Sequence, residues 1–250
     1  MDEITARLGS PRAWLAAGWS LFQLYTAQAG LYDLLIQLPV HVAFAVALGF
    51  LTPPTPDSPE AAERLRAVGH LLWRRGLDGL GAVLALACAL YYIVNNERLA
   101  SRMAMVDDPR TLDVVIGVLF TLLLLEASRR HIGSALVILA VAFIAYAFAG
   151  PWMPGFLAHG GEAFLKVVDH QPLTTGGIFG VPALVSATFI YLFVMFGAVM
   201  SHGGLLRLFT DAALAVAGAT RGGAGKVAVI TSGLFGMVNE IGRASCRERV

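Results

Sequence analysis

Charge is scarce in this sequence. Of its 250 residues only 14% are Asp, Glu, Lys or Arg, against about a quarter in ordinary soluble domains. Cysteine is nearly absent: Cys88 sits in an apolar run and Cys246 in a charged tail. Two isolated cysteines supply neither zinc-ligand spacing nor a disulfide framework. Cys88 reads as a small buried or lipid-facing hydrophobe. No clustered basic face exists, because the arginines are scattered between apolar runs, and nucleic acid is excluded as a partner. The histidines His131, His159, His170 and His202 lack the His-x-x-x-His spacing of a metal site. No Ser-His-Asp arrangement is readable, so an enzyme is not expected. The N-terminus, "MDEITARLGSPRAW", is acidic and lacks the basic region of a cleavable signal peptide.

What the sequence has is length of apolar run. It is 57% hydrophobic, and its uncharged stretches reach membrane length. The fold class expected is all-α, a polytopic membrane protein. Six segments are candidate spans, at about 13–30, 34–52, 77–95, 111–128, 132–150 and 178–200. The first is only moderately apolar and suits a tilted or interfacial helix. The fourth has an uncharged core only between Asp113 and Glu126, which places those carboxylates at opposite interfaces.

The loops orient the chain. With the N-terminus in the cytoplasm, the inside carries Arg7, Arg12, Arg64, Arg66, Arg74, Arg75, Arg129, Arg130, Arg207, Arg221 and Lys226. The outside carries Arg98, Arg102, Arg110 and Lys166. Eleven against four is the positive-inside bias, and it supports an even number of spans between the N-terminus and residue 201.

Two inside segments read as surface helices. "SPEAAERLRAVGHLLWRRG" has Ser58 as N-cap, Pro59 at the first helical position and Gly76 as a stop. "GGLLRLFTDAALAVAGATRGG" places Leu205, Leu208, Phe209, Ala212 and Val216 on one stripe. A linker helix packed on the rest of the protein fits either segment as well. "PPTPDSP" at 53–59 is a stiff linker, and "GPWMPGFLAHGG" at 150–161 is an outer loop rich in Gly and Pro.

Polar groups inside the membrane are the natural functional candidates. His41 lies within the second span; a hydrogen bond to a neighbouring helix explains it better than a proton relay. Gln23, Gln28 and Gln37 read as interhelical hydrogen-bonders. Asp33, Asp78 and Glu126 read as solvated helix ends. "GATRGGAGK" resembles a phosphate loop but lacks the Gly-Lys-Ser/Thr ending, since Val227 follows Lys226, and nucleotide binding is rejected. The stretch after Gly222-Gly223, "KVAVITSGLFGMVN", is apolar but too short to cross a bilayer over 227–239. Its Ser232, Gly233, Gly236 and Asn239 suit one arm of a re-entrant hairpin, which transporters use to build ion and substrate sites. An ordinary seventh span whose end is missing is the alternative.

These residues carry a resemblance. The "GGLLRLFTDAA" arm, the "RGGAGKVAV" turn and the "SGLFGMVN" arm resemble the start of the large membrane subunit of tripartite ATP-independent periplasmic (TRAP) transporters. The earlier spans resemble the fused form of the permease, in which a small four-helix subunit precedes the large one. The resemblance is strong over about 176–239 and mainly topological before it. It implies residues 1–131 as a small-subunit scaffold and 132–239 as the start of the transport subunit. It implies a bacterial or archaeal cytoplasmic membrane location and import of a small organic anion, often a carboxylate. Sodium is the implied coupling ion and an extracytoplasmic binding protein the implied partner; no other cofactor is implied. Ser232, Gly233, Gly236 and Asn239 would lie on the first hairpin. Another secondary transporter, a channel, or a non-transporting scaffold or sensor module are the alternatives.

The family continues after that Asn with a Gly-Ser-Ala type tip, and here Glu240-Ile241 follows. "EIGRASCRERV", residues 240–250, resembles a translated sequencing adapter, with its codons matching through the stop. On that reading the chain is an N-terminal fragment that lacks the second hairpin and cannot transport as it stands. A genuine cytoplasmic tail is the alternative.

Overall fold

A computed structural model describes residues 10–52, 71–220 and 222–236. Among them every regular element is helical. In chain order the α-helices are α1 (Pro11–Ala29), α2 (Leu34–Leu51), α3 (Leu71–Val94), α4 (Asn96–Ser101), α5 (Thr111–His131), α6 (Ser134–Ala149), α7 (Phe164–Leu173), α8 (Val181–Val185), α9 (Tyr191–His202), α10 (Leu205–Ala217) and α11 (Gly223–Gly236). A π-helical turn, Ser186–Ile190, lies between α8 and α9.

Among the described residues, five helical stretches are long and apolar enough to cross a membrane: Leu34–Leu51, Gly76–Val94, Thr111–His131, Ser134–Trp152 and Val181–His202. They coincide with the second to sixth predicted segments. The first predicted segment folds as α1, which is outside that set. It starts where the sequence dictates: Pro11 takes the first position and the Ser10 hydroxyl accepts from the Ala13 amide at 3.4 Å. Asp33 caps α2 in the same way, accepting from the Leu35 amide at 2.8 Å.

Gly76 does not stop a helix. The chain runs through it within α3, from Leu71 to Val94, because apolar sequence resumes at once and a lone glycine costs only about 1 kcal/mol in a helix. Residues 53–70, the predicted linker and the front of that surface helix, lie outside the described residues, as do 1–9 and 237–250.

The chain divides into two units, Met1–Ala187 and Thr188–Val250. In the first, α2 is the central element, packing on α1, α3 and α5. Its core holds Leu38, Tyr92, Phe120, Leu173 and Phe179, each with at most 1% exposure. Three of these rings pack in a triangle, with centroids 5.4 Å (Tyr92–Phe179), 5.6 Å (Phe120–Phe179) and 6.2 Å (Tyr92–Phe120) apart. Tyr92 also donates to the Pro172 carbonyl at 2.7 Å, which satisfies its hydroxyl in the apolar core. Helix α7 reaches this core because Gly117 lets α5 approach: a Cβ there would stand 2.7 Å from Pro172.

In the second unit, α10 and α11 form a helical hairpin joined by 218–222. The seam is made of small residues: Ala213 and Ala217 are buried against Val227 and Ile230. Thus the predicted stripe is not the packed face of α10. Leu208 and Val216 are exposed, at 61% and 77%. Gly204 starts α10 at φ +87°, a left-handed conformation that favours glycine.

Candidate functional site

Helix α11 carries three of the four predicted site residues. Its 14 residues span about 21 Å at 1.5 Å each, short of the ~30 Å hydrocarbon core. Ser232 and Gly236 are four residues apart and Gly233 and Gly236 three, so all three share one face. All three are exposed, and nothing in the described structure lies within 4 Å of a Cβ added at Gly233 or Gly236. Asn239 lies outside the described residues. Next to Ser232, the Thr231 hydroxyl is buried and has no hydrogen-bond partner among the described residues. The hairpin arm therefore offers an open glycine face beside two hydroxyl oxygens. The sequence reading missed Thr231; its place in "TSG" beside the glycines was the available signal.

A second polar constellation lies in the first unit. Gln23 and Thr26 of α1 and Gln37 and His41 of α2 are each buried, with 4% exposure or less. The Gln37 amide donates to Gln23 Oε1 and to Thr26 Oγ1, both at 3.2 Å. Gln23 Nε2 meets His41 Nδ1, and His41 Nε2 lies 3.2 Å from Ser186 Oγ in the π-helical turn. His41, Gln23 and Gln37 are interhelical hydrogen-bonders, as their placement in apolar helices predicts. Gln28 is not one: it is exposed near the end of α1. Thr26 and Ser186 went unrecognised because each looks unremarkable in sequence; the network exists only once the helices pack.

The loop after α3 is held by buried carboxylates. Asp113 is fully buried and accepts from Arg98 at 2.5 and 2.9 Å and from the Tyr91 hydroxyl at 2.6 Å. The sequence placed Asp113 at one end of its span, and the structure has it there, in the first turn of α5, but covered. Arg98 folds back from α4 and replaces water around it. The same contact, a hydrogen bond to Asp113, raises the Arg98 pKa above its ordinary value. Asp169 of α7 is likewise buried; it binds the Arg102 guanidinium and accepts from the Met105 amide at 2.6 Å. Met105 has φ +65° and is the only non-glycine residue with positive φ among the described residues.

At the other end of the spans, Arg130 bridges Asp78 (2.5 Å) and Glu126 (2.7 Å) and covers the Phe50 ring at 4.6 Å. Asp78 and Glu126 are thus paired ends. Three of the four described histidines outside the spans' interior bond backbone carbonyls. His131 bonds the Gly49 carbonyl at 2.8 Å, His159 the Tyr146 carbonyl at 3.1 Å and His202 the Ala198 carbonyl at 2.8 Å. No cluster of metal-ligating side chains occurs among the described residues.

The chain's second half matches a known family. Residues 119–239 match the family model described as "Tripartite ATP-independent periplasmic transporter, DctM component". Over these residues the chain is similar to the membrane component of TRAP transporters. The match begins within α5 and takes in α6 to α11, so the hairpin with Ser232, Gly233 and Gly236 lies inside it. Its last residue is Asn239, the last before "EIGRASCRERV". No curated protein and no solved structure matches the chain.

Proposed function

We propose that this chain is the N-terminal part of a fused TRAP permease that imports small organic anions, chiefly carboxylates, driven by sodium. The observation that carries the reading is the family match over 119–239, ending on a helix too short to span the membrane and lined by exposed glycines. Residues 1–131 form the scaffold and 132–239 open the transport subunit. The membrane is the cytoplasmic one; with α1 as a tilted sixth span, the eleven-to-four bias of basic residues supports an N-terminus inside. Substrate arrives on an extracytoplasmic binding protein, and no covalent chemistry is involved.

Sodium is cargo here, a hard cation that takes several oxygen ligands. The chain's own hydroxyls at Thr231 and Ser232, with Asn239 beyond, supply part of such a set. Gly233 and Gly236 leave backbone open to approach. One arm cannot close the site. The chain as it stands is therefore inactive, and residues 240–250 are a non-native tail. The test is uptake into sodium-free liposomes with and without sodium in the outside medium, with the binding protein of the same locus. The chain ending at Val250 gives no uptake, and a version with the uninterrupted frame after Asn239 gives sodium-dependent uptake of a carboxylate. Uptake by the short chain, or sodium-independent uptake by the long one, overturns the reading.

A further inference from the structure

We propose that His159 is a pH-sensitive latch in the turn between α6 and α7. Its neutral ring holds the His159-Gly160-Gly161 turn closed on the end of α6, and a proton taken up by that ring releases it. The inference stands apart from the transport reading.

Helix α6 ends at Ala149, and the chain returns to α7 through two 3-10 turns, Gly150–Trp152 and Gly155–Leu157. A helix ends on carbonyls that have no partner within it. The returning chain supplies partners here. The Glu162 amide donates to the Ala147 carbonyl at 2.9 Å, and His159 Nε2 donates to the Tyr146 carbonyl at 3.1 Å. The Tyr146 hydroxyl in turn donates to the Leu157 carbonyl at 2.8 Å. The Tyr146 and His159 rings pack with centroids 4.7 Å apart. Gly150 makes room for the imidazole, since a Cβ there would overlap the ring. His159 is half-buried, so its ring is seated on the helix end yet within reach of a proton from water.

The other ring nitrogen fixes the charge. His159 Nδ1 accepts from the Gly161 amide at 3.2 Å, and a backbone N–H can only donate. With Nδ1 accepting and Nε2 donating, the imidazole is neutral and its tautomer is set. An imidazolium carries hydrogen on both nitrogens, so its Nδ1–H would point at the Gly161 N–H, donor against donor. The bond to Tyr146 survives, because Nε2 keeps its hydrogen and the carbonyl end of a helix favours a cation. What breaks is the bond to Gly161. Little else holds that turn: Gly160 and Gly161 carry no side chain, Gly161 sits at φ +70°, and its amide has no other acceptor among the described residues. No neighbouring charge offsets the clash. Helix α6 has no charged residue, and His159 is the one ionisable group in 150–161. On the α7 side, Asp169 is taken by Arg102, Lys166 is exposed, and His170 lies against Gly176. Glu162 is the nearest carboxylate in sequence, and it forms no ion pair with His159 among the described residues.

The experiment is hydrogen–deuterium exchange of the full chain in detergent, read by peptide mass spectrometry at pH 8 and pH 5, the range over which imidazoles change charge. Exposure times are scaled to the intrinsic exchange rate. A step that takes up one proton shifts by up to about tenfold per pH unit. Protection over 160–163 should therefore fall roughly tenfold or more on acidification, relative to 134–145 of α6. His159→Asn keeps an acceptor for the amide two residues on, as Asn does in turns, but takes up no proton, so its protection should be equal at the two pH values. His159→Leu should leave the turn open at both. Glu162→Gln should leave the acid response intact. Equal protection of 160–163 at both pH values in the unmodified chain overturns the proposal. So does an acid response that persists in His159→Asn or vanishes in Glu162→Gln, and so does a turn still protected in His159→Leu. The first three outcomes decide the matter even if His159→Leu fails to fold.

Discussion

His41 and Ser186, 145 residues apart in sequence, meet at 3.2 Å. The contact joins the central helix α2 to the one π-helical turn among the described residues, Ser186–Ile190. A π turn leaves the regular i−4 ladder, and such turns recur at functional sites. The histidine is therefore part of what fixes the irregular turn, with Gln23, Gln37 and Thr26 stacked behind it.

Truncating His41 would strip the partner from both Gln23 Nε2 and Ser186 Oγ. His41→Ala should lower stability by about 1–3 kcal/mol, the cost of buried polar groups left unmade. Ser186→Ala should cost only about 0.6 kcal/mol, the average for interhelical hydrogen bonds in membranes. The double variant should cost less than the sum. Thermal unfolding in detergent, followed by circular dichroism, reads all three. Strict additivity would show that the two residues do not act together.

Burial separates the ion pairs. The Asp113 carboxylate is fully buried, whereas the Glu126 and Arg129 side chains are 33% and 52% exposed. Asp113→Ala leaves Arg98 without its anion and should cost about 3 kcal/mol, at the low end for a buried pair because Arg98 keeps partial solvent access. Arg129→Ala should cost under about 1 kcal/mol. The unfolding midpoints in denaturant rank the two directly, and equal losses would mean that burial does not govern these pairs.

The raised pKa of Arg98 has a sign. A cation whose folded pKa exceeds its unfolded value contributes stability that is complete below the unfolded value and fades only as pH climbs through the folded one. For arginine that window lies far above neutral pH. The stability difference between the unmodified chain and Arg98→Met should hence stay constant from about pH 7 to 10. A difference that shrinks toward pH 10 would contradict an arginine held charged by Asp113.

Much of this was legible in the chain. Uncharged apolar runs fixed the five spans because every backbone group in hydrocarbon must be bonded within its own helix. Ser10-Pro11 and Asp33 announced their helix starts locally. What stayed hidden was tertiary. The place of Asp113 at the end of its span was readable, but nothing near it in sequence says that Arg98 folds back to cover it. Helix α7 was missed because a ten-residue amphipathic segment interrupted by Pro172 is a weak signal. At the hairpin, "TSGLFG" was readable as a glycine-rich membrane segment, while the burial of Thr231 Oγ1 depends on packing.

The last expectation turns that legibility into a test of the site. A methyl group at Gly117 would meet Pro172 at 2.7 Å, so Gly117→Ala should destabilise the first unit by about 1–3 kcal/mol through overpacking. A methyl group at Gly233 or Gly236 meets nothing within 4 Å, and neither glycine has positive φ. In this chain, therefore, Gly233→Ala and Gly236→Ala should leave stability unchanged or raise it by about 0.5–1 kcal/mol, the gain in helix propensity. On the proposed reading, in which the ion and opposing backbone close over the glycine face, the same two substitutions should abolish sodium-dependent uptake in the uninterrupted permease. Full uptake with both alanines in place would remove Gly233 and Gly236 from the site, and a loss of stability in the short chain would assign them to packing.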